Sequence, residues 1–382
     1  MRSIYFDNAA TSPVSPEILE ALPRVLQDCY GNPSSVHAEG RKARKLIEDN
    51  RRILSDLLGC RANEVYFTSG GSESDTWALY GAAHAQSNRR RTLITSQIEH
   101  KAVLSCAKQL ETEGYNVIYL PVDQNGVVSA DALRSKISED VFLVSIMSVN
   151  NETGVMQDID TLSEIAHSKG ALFHTDAVQG INDVEYKLSD SNIDMLSLSA
   201  HKLHGLKGCG VLTVRNGVNI SRLICGGAQE QGKRAGTENL PGICSLGLAC
   251  REIIRNRASI NAGKRKLAGL LEYLITSRIE DATVNSASAR RASGISNISF
   301  KGIDGEALML NLDLQGICAS TGSACLSGSV DPSHVLMAMG IDKENAAGSV
   351  RFSFSEYNTE EEIFAAADII CETVKRLRNM YK

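Results

Sequence analysis

The sequence predicts an α/β protein: a mainly parallel central sheet flanked by helices, with a smaller α+β domain beside it. Three observations carry this reading. Short apolar runs of strand length alternate with helix-length segments over the first two thirds of the chain. The pattern changes character near residue 258. And 382 residues are enough to bury a large core and to divide it in two.

The apolar runs are "EVYFTS" (64–69), "RTLITS" (91–96), "VFLVSIMSV" (141–149), "ALFHTD" (171–176), "MLSLSA" (195–200) and "GVLTVR" (210–215). They are largely continuous rather than alternating, as strands covered on both faces are. Segments 72–86, 101–113 and 158–169 separate most of them and have helix length. Such alternation predicts parallel strands with helices on both faces, and a ligand site beyond the carboxyl ends of the strands. Further on, "NAGKRKLAGLLEYLITSRIE" (261–280) predicts a long amphipathic helix. It is followed by a strand "GISNISF", a helix at 304–313, a Gly/Ser-rich loop at 320–331, a helix from Pro332, a strand "SVRFSFS" and a final helix from about 359. We place the boundary at 255–265, with 16–258 as the large domain and 1–15 plus 259–382 as the small one.

Charged residues make up 22% of the chain and the net charge is −5, so no global basic field suits nucleic acid or an anionic membrane. The first residues lack the apolar run of a signal peptide, and acidic Asp7 comes early. No segment approaches the ~20 apolar residues of a membrane span. The expectation is a soluble, cytoplasmic protein without nucleic-acid or membrane partners. Ten cysteines include no C-x-x-C pair and scatter through apolar segments, which reads as small core residues rather than a disulfide framework or a zinc site.

Polar residues gather where strands should end. After "VYF" comes "TSGGSESD", whose glycines allow a tight turn before a helix near Ser72; free N–H groups there suit a phosphate, and a plain capped helix looks the same. Asp176 closes a strand that reads as fully buried, where a carboxylate is costly without a cation, although an N-cap is an equally ordinary role. Lys202, in "SLSAHKLHG", stands at the mouth of another buried strand; alone it is most simply a snorkelling lysine. Taken as a set, a phosphate cup, a buried acid and a lysine at three strand ends match one ligand. Pyridoxal 5'-phosphate (PLP) has a phosphate, a ring nitrogen that takes a proton and an aldehyde that condenses with an amine. Desolvation that lowers the lysine below its usual ~10.4 leaves that amine free.

The motifs "YFDNAAT", "GNPSSVHAEGR", "SGGSES", "EHKAV", "VNNETG", "DAVQ", "SAHKLHG", "RAGTEN", "TGSAC" and "SVRFS" follow in this order over nearly the whole chain. In them the sequence resembles the cysteine desulfurases, PLP enzymes of the class V aminotransferase group with the PLP-dependent transferase fold (fold type I). The resemblance implies that Lys202 holds PLP as a Schiff base, Asp176 pairs with the ring nitrogen, and Gln179 and Asn151 lie at the phenolic oxygen, Asn151 also near substrate. Gly71, Ser72, Ser199 and His201 hold the phosphate, and Thr237 reaches it across a homodimer interface. His100, which on its own reads as a residue opening a helix, stacks on the ring and moves protons.

Cys325 lies in "STGSACLSGSVDP", a small, polar, Gly-rich run without a packing pattern, so an exposed, mobile loop is expected, where a thiol is as readily inert as reactive. The resemblance makes it the nucleophile, and Arg351 the bidentate clamp on the substrate carboxylate. His174 reads as packing beside its strand, His37 as shaping the pocket, the His201/His204 spacing as structural rather than metal-binding, and Cys318 as part of a strand. The implied activity is conversion of L-cysteine to L-alanine. Sulfur leaves as a Cys325 persulfide for an iron–sulfur scaffold or a tRNA-thiolation relay protein. A selenocysteine lyase or other class V enzyme, and a non-catalytic PLP-binding scaffold, are the competing readings. The chain departs from the family pattern at Leu206, Gln231, Leu326 and Ser355, all without loss of a named chemical group.

Overall fold

The computed structural model describes residues 3–85, 89–321 and 332–380. Its strands are β1 (Ile4–Tyr5), β2 (Val65–Thr68), β3 (Thr92–Ser96), β4 (Asn116–Leu120), β5 (Val141–Ser145), β6 (Leu172–Asp176), β7 (Met195–Ser199), β8 (Gly210–Val214), β9 (Ala282–Val284), β10 (Ile295–Phe300), β11 (Ile317–Cys318) and β12 (Ser349–Ser353). Seven of them form the main sheet, in the order β2-β8-β7-β6-β5-β3-β4. β8 runs antiparallel to both neighbours, and the other adjacent pairs are parallel. The strands leaving Thr68, Ser96, Ser145, Asp176 and Ser199 therefore discharge their loops along one edge.

The continuous apolar runs are indeed buried along their length in β2, β3, β5, β7 and β8. β4 was not among the expected strands. It is the sheet's edge and its residues are mostly half-exposed, so it lacks the unbroken apolar run that marks the others. Gly210 lets β8 close against the turn before the helix Gly71–Ala85: a Cβ there would stand 2.6 Å from the Cα of Gly70 and 2.8 Å from the Leu198 carbonyl oxygen.

The helix expected to start at 261 starts at Leu240 and runs to Arg278, 39 residues in one piece. Asn239 caps it, its side chain accepting from Gly242 N at 3.1 Å, and proline occupies the first turn where its missing N–H costs nothing. Its first half is buried on most sides and so shows no amphipathic stripe. Leu240, Ile243, Leu246, Cys250 and Ile253 join the core beneath the main sheet. Leu267, Leu271, Leu274 and Ile275 join a second core with Phe6, Ile298, Val350 and Ile370. At 255–265 the partner core changes and the backbone does not.

That second core lies under the antiparallel sheet β12-β10-β9, with the helices Gly305–Asp313 and Glu360–Met380. β1 pairs with β11. The helix expected from Pro332 is two short ones, His334–Ala338 and Lys343–Ala347. Residues 7–12 cross between the two cores: Asp7 bridges to Ser353, and the Ser12 hydroxyl donates to His201 O at 2.9 Å. Among the described residues no helix is long and apolar enough to cross a membrane.

Candidate active site

A cavity of about 420 Å³ opens at the carboxyl ends of the strands. Lys202, Asp176, His100, Asn151, Gln179, Gly71, Ser72, Ser199, His201 and Arg351 all line it. The strand-end residues singled out from sequence thus converge on one space.

Lys202 ends a short turn, Ala200–Lys202, that follows β7 directly. Its Nζ donates to the carbonyls of Ala9 at 2.6 Å and Ala10 at 2.8 Å. Burial, then the nearby Arg351 charge, pushes the amine down to about 8. Asp176 is 4% exposed and accepts Val178 N–H at 2.9 Å. Burial raises its pKa, while His100, that N–H and Lys202 oppose the rise. Gln179 donates to Ala9 O at 2.8 Å.

His100 opens a helix, as its sequence context allowed, and also faces the cavity. It caps the helix Lys101–Thr112, its Nδ1 accepting from Ala102 N at 3.1 Å, and its ring is open to the cavity. With Nδ1 an acceptor, the neutral ring carries its proton on Nε2. Surrounding protein lowers its pKa through desolvation. His201 is held by Thr11, Nδ1 to Oγ1 at 3.1 Å, and burial pushes it down to about 4.

Arg351 is buried and partly engaged. Nη1 donates to Asn151 O at 2.9 Å, Nη2 to Asp7 Oδ1 at 2.9 Å, and Nε has no partner. The clamp expected from sequence therefore shares its guanidinium with Asp7; of its five N–H donors two are used.

Some sequence-marked residues lie elsewhere. Thr237 is exposed and lines a separate cavity of about 200 Å³ with Ser69 and Arg234. His37 is not among the residues lining this cavity; it caps the helix Ala38–Leu58, accepting from Gly40 N at 3.2 Å. His174 sits in the core between two serine hydroxyls, Ser145 at 2.8 Å and Ser197 at 2.9 Å. His204 turns to Pro13 O at 2.8 Å and to Glu356. Cys318 is in β11, and burial raises its thiol. Cys225 is exposed, unlike the core residue its type suggests. Cys325 and Leu326 lie outside the described residues.

Sequence reasoning passed over several contributors. Asp7 and the carbonyls of Ala9 and Ala10 come from "YFDNAAT", a motif whose order in the chain carried a signal even though its chemistry did not. Asp75 and Glu99 are buried acids beside the cavity floor, and His334 lines the wall, with Nε2 3.1 Å from Glu99 O.

These donors fit PLP. The free N-terminus of the helix Gly71–Ala85, with the Ser72 and Ser199 hydroxyls and His201, suits a phosphate. Asp176 offers a buried carboxylate to a ring nitrogen, and Lys202 a depressed amine to an aldehyde.

Comparison with known proteins agrees. The family model for class-V aminotransferases matches residues 4–365. The cysteine desulfurase IscS of Methanosarcina thermophila is 45% identical over 384 aligned residues, covering 99% of this chain and 94% of that protein. The solved structure of a NifS-like protein superposes with a TM-score of 0.93 at 37% identity, covering 98% of this chain and all (100%) of that one. SspA in complex with cysteine gives a TM-score of 0.83 at 35% identity, over 94% of this chain and 100% of that one. With a fold type I architecture, a PLP-shaped donor set and relatives of this closeness, the chain belongs to the class-V aminotransferase family and, within it, to the PLP-dependent cysteine desulfurases.

Proposed function

We propose that the chain takes sulfur from L-cysteine onto Cys325 as a persulfide, releases L-alanine, and passes the sulfur to a protein acceptor serving iron–sulfur cluster assembly or tRNA thiolation. One observation carries this reading: the Lys202 amine, the Asp176 carboxylate and the Arg351 guanidinium line a single cavity. Bound there, PLP supplies an aldehyde that captures amines and a ring that stores the electron pair released at Cα.

The residues divide the remaining work. Gly71, Ser72, Ser199 and His201 hold the phosphate, with Thr237 from a second copy in a homodimer. Asp176 holds the ring nitrogen, and Gln179 and Asn151 the phenolic-oxygen side. Arg351 binds the substrate carboxylate through donors that Asp7 and Asn151 leave free. Lys202, with its pKa near 8, would hold PLP through its amine and, when free, would serve as the base for the substrate Cα proton. His100, with its Nε2 proton facing the cavity, would exchange protons there. The Cys325 thiolate attacks the substrate sulfur. The C–S bond breaks, its electron pair stays with the carbon fragment that leaves as alanine, and the sulfur remains on Cys325. Thr321 and His334 line the cavity on either side of the Cys325 segment in sequence.

We place the protein in the cytoplasm. We also propose that 16–258 and 1–15 with 259–382 act as two domains, a division supported by the two cores that share the long helix.

A turnover assay measuring alanine and sulfide together, followed by intact mass, tests the whole. Alanine formation with one added sulfur on Cys325 is expected. Full-rate alanine formation by Cys325→Ala points instead to a lyase or aminotransferase, colour without turnover to a PLP-binding scaffold, and absence of both colour and turnover overturns the reading of the cavity as a PLP site.

A further inference from the structure

The floor of the cavity holds more acid than its surroundings neutralise. Asp75, from the first turns of the helix Gly71–Ala85, is 1% exposed, and Asp176 at the end of β6 is 4% exposed. With His100 they bring polar atoms within 4.8 Å of one another. Glu99 adds a third buried carboxyl, accepting the Ser96 hydroxyl at 2.5 Å and Met147 N at 3.0 and 3.1 Å.

His174, from β6, is the nearest base, its Nε2 3.7 Å from Asp75 Oδ1. It is fully buried between Ser145 and Ser197, and desolvation keeps it neutral, pushed down to about 3. His100 is likewise depressed, and Cys106, on the helix behind, is a thiol pushed up to about 12, partly by Asp75 itself. Lys101, Lys202 and Arg351 face the cavity from its other walls, and Arg351 already answers Asp7. A single cationic ring nitrogen can compensate one carboxylate of the pair and not two.

The two aspartates are unequal candidates for that charge. Asp176 has a backbone N–H donor from Val178. Asp75 Oδ1 is buried with no hydrogen-bond partner at all. An ionised oxygen in that state loses its solvation and gains nothing, whereas an acid's own proton lifts the charge. Desolvation first, then Asp176, raises the Asp75 pKa well above the usual carboxyl range, against the Ser197 hydroxyl, which lowers it.

We propose that Asp75 is an uncharged carboxylic acid in the working enzyme, a positioning residue that holds the one proton of the buried pair and leaves Asp176 as the ionised member facing the ring nitrogen. This rests on PLP occupying the cavity.

Infrared difference spectra of the holoenzyme test it directly. Wild type minus Asp75→Asn should show the C=O stretch of a protonated carboxyl at neutral pH, shifted in D2O; Glu99→Gln assigns any second band. Absence of the Asp75 band from the difference overturns the proposal. A second readout is the pH midpoint of the bound cofactor's visible absorbance. Replacing a neutral group by neutral asparagine should move it by less than about 0.3 unit, a twofold change in proton affinity. Loss of an ionised carboxylate at this range would lower it by about one unit or more, which also overturns the proposal. If the protein never takes up PLP, the reading of the cavity fails, while the infrared band still decides the state of Asp75.

Discussion

Glu230 and Asp176 are carboxylates of nearly equal burial, 5% and 4% exposed, set in opposite surroundings. Glu230 is answered on every side. Arg51 donates to both of its oxygens at 2.8 Å, and Phe67 N donates at 2.9 Å. Arg51 itself gives a further bond to Val65 O at 2.6 Å and lies 4.7 Å over the Phe67 ring. The network closes on itself and holds strained backbone in place, with Glu230 at φ 44° and Gln231 at φ 57°. Asp176 has one backbone donor and two acidic neighbours, Asp75 and Glu99, both raised first by burial and further by Asp176. Charges matched from within shape the fold; acids that outnumber their cations are arranged to meet the charge of a ligand. Removing a partner should therefore cost stability in the first region and chemistry in the second.

The largest effect belongs to the second region. Lys202→Ala removes the amine that captures the cofactor and the base at Cα, and alanine formation should fall by about 10³-fold or more. Stability of the cofactor-free protein in urea should hold or rise, because a partly desolvated amine is gone. A marked loss of stability with turnover retained would erase the distinction between the regions.

Next comes the closed network. Glu230→Ala leaves Arg51 buried and uncompensated, so unfolding free energy should drop by about 3–5 kcal/mol. The molecules still folded should keep the cofactor spectrum. Arg51→Ala should cost a similar amount, and the double variant less than the sum, since the two side chains act as one unit. Additive losses would mean that the pair is not coupled.

The same contrast explains what could be read from sequence. β2, β3, β5, β6, β7 and β8 were legible because strands covered on both faces leave continuous apolar runs. β4 was not, because an edge strand mixes exposed and buried positions. Lys202, Asp176 and the Ser72 turn were legible because polar groups at buried strand ends need a reason. Asp75 was invisible: one acid in a helix beginning "GSESD" looks like a solvated first-turn residue, and only the tertiary fold shows it at 1% exposure. Asp7 was read merely as an early charge, and its bond to Arg351 spans 344 residues, a separation no local pattern reports. The first half of the long helix escaped because burial on most sides erases amphipathic period.

The smallest effect, and the finest test of the contrast, is the pH dependence of Lys202. Its folded pKa lies near 8 against an ordinary 10.5. Between those values the unfolded chain binds a proton that the folded chain has released, so unfolding free energy of the cofactor-free protein should rise with pH across the window from about 8 to 10.5. Lys202→Met should flatten that rise. The capture of added PLP follows the same titration: its rate should climb with pH and level off above about 8, where the amine is already neutral. Stopped-flow absorbance reads this directly. A rate still climbing tenfold per unit between pH 9 and 10, where an ordinary lysine of ~10.4 would be titrating, would mean that the amine is solvated and that the cavity walls do not set its charge.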